Sequence, residues 1–324
     1  METGIISKKL EDPNRRSRIR VFDFLKGILI LLVIAFHLVY FSTIYPYAKE
    51  VVYTFHMPAF LLLSGYLMNF EKNTRGVLRT FLWLLIPYVV METSYVVMAS
   101  ILPIREHIET LTLSIFLDKL LLHPIGPYWY LHTLVICGAL WYALRSWKTT
   151  TTPVNILLFI GVALLAGVGK LLTPACALYF LLGVIMREFK LNFVRFFAAG
   201  GGWTLLLFAG LITRESHLDM ASLMGMLIVY TFIGAGFFLY HYIPGGGKCL
   251  MELLGRNSLL LYLFSPIFTI LCKYLVPFLT FDTTGIIFLV LSLLVCVAGS
   301  LAIAKMLEYT GVSLFMFGRK KVVV

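Results

Sequence analysis

The sequence predicts an all-α fold: a polytopic membrane helix bundle of about ten transmembrane helices with both termini in the cytoplasm. Three observations carry that prediction. The 324-residue chain is 60% hydrophobic and 13% charged, with a mean hydropathy of +0.91, whereas a soluble domain carries about 25% charged residues. Apolar stretches of bilayer-spanning length recur along nearly the whole chain. Positive charge is one-sided: with the N-terminus inside, twenty of the 27 Lys and Arg fall on inner segments, six fall on outer ones, and Lys26 lies within the first helix.

In chain order, residues 1–21 form a basic arm with Lys8, Lys9, Arg15, Arg16, Arg18 and Arg20, expected to lie on anionic membrane lipids. The membrane domain, 22–306, is read as spans at 22–41, 51–70, 79–101, 128–145, 154–171, 174–187, 193–213, 221–242, 257–276 and 285–306. The first run is too long for a secretory leader and lacks a small-residue cleavage site, so it is expected to stay as the first helix. The sixth is short and opens on Pro174. The longest connection, outer segment 102–127, carries apolar residues at helical spacing over 108–122, which fits a helix lying along the interface. Residues 307–324 form a cytoplasmic tail. Neither a soluble domain nor an internal repeat is discernible.

Composition also excludes some functions. The net charge of +11 follows from membrane topology, so no nucleic acid is expected as a partner. Cys137, Cys176, Cys249, Cys272 and Cys296 are scattered without a CxxC pair, as small core residues are. Pro244-Gly245-Gly246-Gly247-Lys248 lacks the spacing of a phosphate loop and follows a membrane helix instead of a strand, so it reads as a flexible turn.

Candidate chemistry lies in the ionisable groups placed in apolar runs, which are costly in hydrocarbon and point to function. Asp23 and Lys26 sit three residues apart on one face of the first helix, where pairing lowers the cost of burying both. Lys26 and His37, eleven residues apart, point the same way and are separated by about 16 Å along the axis. Measured from the inner edge, His37 comes at about 22 Å, His56 at a similar level, Glu92 at roughly 20 Å and His132 at about 24 Å. Four ionisable side chains from four helices therefore share one layer. Each also has a structural reading: a buried histidine can simply be a satisfied core group, and Glu92 can bond a neighbouring hydroxyl. No HExxH-like spacing occurs, so no metal is expected. On the inner side, Arg75 and Arg79 lie one turn apart at the start of the third helix. Topology alone explains inner arginines, but a guanidinium pair also suits the phosphates of a cytosolic cofactor.

Taken together, several motifs resemble the acyltransferase 3 integral-membrane family, in its fucose 4-O-acetylase-like branch. Asp23-Phe24-Leu25-Lys26-Gly27 with His37 is similar to the first-helix motif. Phe55-His56-Met57-Pro58-Ala59-Phe60 with Ser64-Gly65-Tyr66 is similar to the second-helix motif, and Pro127-Tyr128-Trp129-Tyr130-Leu131 to the aromatic motif opening the fourth helix. Leu254-Gly255-Arg256-Asn257-Ser258 with Tyr262 resembles the ninth-helix signature. Many members carry Arg at the position of Lys26 and His at that of Ser265.

The resemblance implies O-acyl transfer, usually of acetyl, from cytosolic acetyl-CoA or another acyl-CoA to a sugar hydroxyl. The acceptor would be a cell-envelope glycan or lipid-linked sugar, and the location a bacterial inner membrane. It implies His37 as the catalytic histidine and Arg75 and Arg79 as contacts of the CoA phosphates. On that basis Arg20 and Lys26 join the cofactor-binding set, and Glu92 is a candidate to orient the imidazole. His56, Tyr66, Trp129, Tyr130, His132, Tyr262 and Ser265 are candidate acceptor or oxyanion contacts. His37 can act as general base or as an acyl carrier. A homo-oligomer is compatible with the sequence. The sequence also fits two rival readings: a multi-pass exporter of a glycan or small molecule, and a structural or sensor partner of an envelope synthase.

Overall fold

The computed structural model describes residues 20–101, 106–147 and 151–324. The basic arm up to residue 19, Arg105 and Lys148 lie outside them. Among the described residues every regular element is helical.

Helix α1, Arg20–His37, opens with Arg20, Asp23 and Lys26 and then turns wholly apolar. It stops at Leu38, whose extended backbone (φ −72, ψ 102) starts a second short helix, α2, Val39–Ile44. The single helix expected over 22–41 is therefore bent directly after His37, which leaves that imidazole at a helix end. Helix α3, Pro46–Leu67, starts on a proline, whose missing N–H is no loss in a first turn. Helix α4 spans Thr74–Ile101. On the outer segment, α5, Leu113–Leu121, occupies the middle of the predicted interfacial stretch, with the Thr112 hydroxyl accepting from the Ile115 N–H at 3.3 Å. Within it the Asp118 carboxylate accepts from Nδ1 of His123, just beyond the helix, at 2.7 Å, which holds Asp118 below the usual carboxylate range.

A 3-10 turn at Gly126–Tyr128 leads into α6, Trp129–Ser146, followed by α7, Thr152–Val168, and α8, Pro174–Glu188. The seventh expected span, 193–213, is two helices, α9 (Phe193–Ala198) and α10 (Trp203–Leu211). The break falls on Gly200-Gly201-Gly202, where Gly201 has φ +49, a left-handed conformation that glycine adopts without steric cost. Helix α11 is Leu223–Tyr242. The segment expected to be a flexible turn, Pro244–Lys248, instead starts a further helix, α12 (Gly245–Arg256). Its three glycines disfavour a helix by about 1 kcal/mol each, but its apolar face is held against α1, and tertiary burial outweighs propensity. Helix α13, Ser258–Leu271, continues as a 3-10 turn, Cys272–Phe278. Helix α14, Ile286–Thr310, runs past the expected end at 306, and α15, Val312–Phe317, follows the left-handed Gly311. The tail then folds back on the bundle: Glu308 accepts from the Val322 and Val323 N–H groups, and Asn257 exchanges two hydrogen bonds with Val324 at 3.0 Å.

By length and composition, four described helices can cross a membrane: α4, α11, α13 with its 3-10 extension, and α14. Helix α1 has the length but carries three charged side chains in its first two turns. It is nevertheless the centre of the bundle, packed against α3, α11, α12 and α13. The contact with α12 is the closest because two glycines face it. A Cβ on Gly27 would strike the Met251 carbonyl, and one on Gly255 would strike the Asp23 carbonyl. Small residues at such crossings let backbones touch, the usual route to tight helix pairs where lipid provides no hydrophobic drive.

Candidate active site

The N-terminal turns of α1 hold a cluster of charged side chains. Asp23 is buried, with 2% of its surface exposed, and its carboxylate meets Lys26 Nζ at 2.8 Å, the pairing expected from their spacing. The packing of α12 adds what spacing did not reveal: Arg256 approaches the same carboxylate at 3.8 Å and Glu252 at 3.3 Å. Tyr240 donates to Glu252 at 3.0 Å. Charges on α1 and α12 thus compensate one another where an isolated one would be expensive.

From this cluster a cavity of about 300 Å³ runs inward, lined by Lys26, Ser64, Thr80, Tyr130, Ser258 and Tyr262 among others. A second cavity of about 620 Å³ lies beyond it, with His37, Lys49, Tyr53, Glu106, Ser265 and Lys273 in its wall. Val33 and Tyr262 line both. The two spaces therefore abut at these side chains, one ending at Lys26 and the other holding His37.

The aromatic motif builds this partition. Tyr262 donates to the Pro127 carbonyl, and Tyr128 returns a hydrogen bond to the Leu263 carbonyl at 2.9 Å. Tyr128 and Tyr130 pack edge-on against the Tyr262 ring at 6.0 and 5.5 Å. Tyr130 shares a 2.7 Å hydrogen bond with Ser64 of α3. Four segments are thereby locked around one phenol ring.

His37 is half-buried. Its Nδ1 lies 2.7 Å from the Val33 carbonyl. A carbonyl can only accept, so Nδ1 carries the proton and Nε2 is the free, basic nitrogen. The orienting group is a backbone carbonyl one turn back, not a carboxylate. Tyr53 lies 6.3 Å from the His37 ring and 5.1 Å from His56, and its hydroxyl donates to the Phe36 carbonyl at 3.3 Å.

The remaining expected residues separate. His56 is buried behind Tyr53, with Nδ1 donating to the Val52 carbonyl at 2.6 Å. Glu92 is fully buried, and Oε1 accepts from the Ile125 N–H at 2.7 Å, anchoring the chain before the 3-10 turn to α4. His132 donates from Nε2 to the Leu121 carbonyl at 2.8 Å and lies beside Tyr88, so it fastens α5 to the bundle. Of the four groups in the predicted layer, only His37 lines the outer cavity. Tyr66 packs against Phe193 at 4.9 Å and Trp129 packs on the core; neither lines either of these two cavities. Arg75 and Arg79 are exposed at the start of α4, beside Thr80 of the inner cavity, and Arg20 is exposed at the start of α1.

Residues to which the sequence assigned no role are Tyr53, Lys49, Glu106, Lys273 and Arg256, the last quoted only as part of the ninth-helix motif. For two of these a signal existed: Lys49, Tyr53 and His56 are spaced four and three apart, which is one face of a helix.

An all-α bundle of apolar helices with a histidine in the wall of one cavity, adjoining a second cavity that ends at Lys26, defines an integral membrane protein. The chain belongs to the acyltransferase 3 family, whose model, described as an acyltransferase domain, matches residues 19–305. It is similar to the nodulation protein NolL of Mesorhizobium japonicum, 39% identical over 124 residues, covering 34% of this chain and 31% of that protein. It is also similar to NolL of Sinorhizobium fredii, 50% identical over 56 residues, 15% of either chain. The matches thus span no more than about a third of these curated relatives. No solved structure matches the chain.

Proposed function

We propose that this protein is an acyl-CoA-dependent O-acyltransferase of a bacterial inner membrane. It moves an acetyl group from cytosolic acetyl-CoA to a hydroxyl of a cell-envelope glycan or lipid-linked sugar. The observation that carries this reading is the pair of abutting cavities, with basic groups at the inner end and a free imidazole nitrogen in the outer space.

In this scheme Arg75, Arg79 and Arg20 hold the CoA phosphates at the inner face, by charge-assisted bonds that guanidinium forks suit. The pantetheine arm passes Lys26 and reaches the partition at Tyr262, spanning the roughly 16 Å between Lys26 and His37. The acceptor hydroxyl enters the outer cavity. His37 Nε2 takes its proton as the oxygen attacks the thioester carbonyl, a general-base contribution of about 10²–10⁴-fold. The tetrahedral intermediate collapses with loss of the CoA thiolate, which takes the proton back from the imidazolium. Atoms and charge balance: one ester forms, one thioester breaks, and His37 ends neutral. Ser265, buried in the outer wall, has a hydroxyl suited to the developing oxyanion.

Purified protein incubated with radiolabelled acetyl-CoA and crude envelope glycan tests the reading. Label on the glycan is the expected result. Substrate flux across proteoliposomes without label transfer would identify an exporter instead, and failure to bind acetyl-CoA would leave only a structural or sensor role.

A further inference from the structure

The outer cavity carries positive charge that topology does not call for. Outer segments of membrane proteins are depleted of Lys and Arg, and here they hold six of 27. Two of those six, Lys49 and Lys273, line the cavity that contains His37. They come from different elements, the first turn of α3 and the 3-10 turn after α13, so the fold and not sequence proximity brings them to one space.

Neither ammonium forms an ion pair with another described residue. Among the described residues no carboxylate lies within 4.0 Å of either one. Lys49 instead lies over the Tyr53 ring at 5.5 Å, and that ring stands 6.3 Å from the His37 imidazole. Glu106 is the carboxylate in the same wall, and its Oε2 already accepts from the Gly126 N–H at 2.6 Å. Lys49 also borders a neighbouring hollow that contains Glu50, Glu215 and Asp219, yet it forms no ion pair there. Among the described residues, the charged side chains lining this cavity are two cations against one partly occupied anion. Lys273 is exposed and Lys49 half-buried, so water screens part of this imbalance, but a cleft lined by an excess of one sign still concentrates ligands of the opposite sign.

We propose that the acceptor carries an anionic group, a carboxylate or a phosphate, close to the hydroxyl that is acylated, and that Lys49 and Lys273 hold it while His37 faces the hydroxyl. This rests on the acyl-transfer reading and narrows its acceptor class. A uronic acid supplies the carboxylate; a glycosyl phosphate or a lipid-linked sugar supplies the phosphate.

The test is equilibrium binding of three radiolabelled probes to the full chain in nanodiscs: methyl glucoside, methyl glucuronide and glucose 1-phosphate. At least one anion should bind about tenfold or more tightly than the neutral glycoside, the size of one charge-assisted contact. That preference should fall below about threefold in the Lys49→Gln/Lys273→Gln double variant. Whichever anion binds better identifies the source of the charge. Equal binding of charged and neutral probes, no binding of either anion, or an undiminished preference in the double variant would each overturn the proposal. Thermal melting checks that the variant is folded, and the two single variants replace it if it is not. Acetyl-CoA binding is measured on the same wild-type preparation. If it persists while the anion preference is absent, this proposal falls alone; if it too is absent, the acyl-transfer reading falls with it.

Discussion

Removing the Asp23 carboxylate is the perturbation whose size the structure fixes best. Asp23 has 3% of its side chain exposed, while its partners Lys26 and Arg256 have 21% and 32%. Deleting one partner of a fully buried ion pair costs about 3–5 kcal/mol, chiefly because a charge is left buried without compensation. Here the orphaned cations keep some access to water and Arg256 retains Glu252 at 3.3 Å, so the cost of Asp23→Ala is reduced to about 2–3 kcal/mol. Replacing the pair by apolar groups is usually close to neutral, so Asp23→Ala/Lys26→Met should recover about half the loss or more. The assay is thermal unfolding of the detergent-purified protein, with the single and double variants measured alongside wild type. If Asp23→Ala melts with the wild type, the carboxylate does not compensate these charges. If the double variant is as unstable as the single, Lys26 is not the group left uncompensated.

Three further outcomes are expected. Arg75→Gln/Arg79→Gln should raise the KM for acetyl-CoA by about tenfold or more with little change in kcat, since the contacts lie far from the reacting atoms; steady-state kinetics at varied acetyl-CoA checks it, and an unchanged KM would remove these arginines from the donor site. Tyr262→Ala should merge the two spaces, lowering transfer to the acceptor while raising hydrolysis of acetyl-CoA without acceptor. Tyr262→Phe keeps the ring but leaves the Pro127 carbonyl without its donor, a cost of about 1–3 kcal/mol that a melting curve reads directly.

Much of the fold was legible because a bilayer leaves few choices. Hydropathy located the apolar helices, and the i,i+3 spacing of Asp23 and Lys26 announced their pairing. The bend after His37 and the break at Gly200–Gly202 were harder, because a hydropathy window averages across both. Helix α12 was hidden for the opposite reason: its glycines argue locally against a helix, and the surface of α1 that holds it is remote in sequence. Arg256 shares that difficulty, lying 233 positions from Asp23.

The layer of His37, His56, Glu92 and His132 was derived from depth alone. Depth is one coordinate of three; which way each helix faces decides what meets. His132 turns to Leu121 and Glu92 to Ile125, while only His37 turns into the outer cavity. The aromatic motif had a position in the sequence but no evident task. The hydrogen bonds and ring contacts around Tyr262 give it one, as the wall between two cavities.

The central claim is that His37 Nε2 removes the acceptor's proton, and the most direct measurement is single-turnover transfer of label from acetyl-CoA to glycan by wild type and His37→Ala. His37→Ala should lose about 10²-fold or more, with acetyl-CoA binding retained. Transfer by His37→Ala within a few-fold of wild type would contradict it.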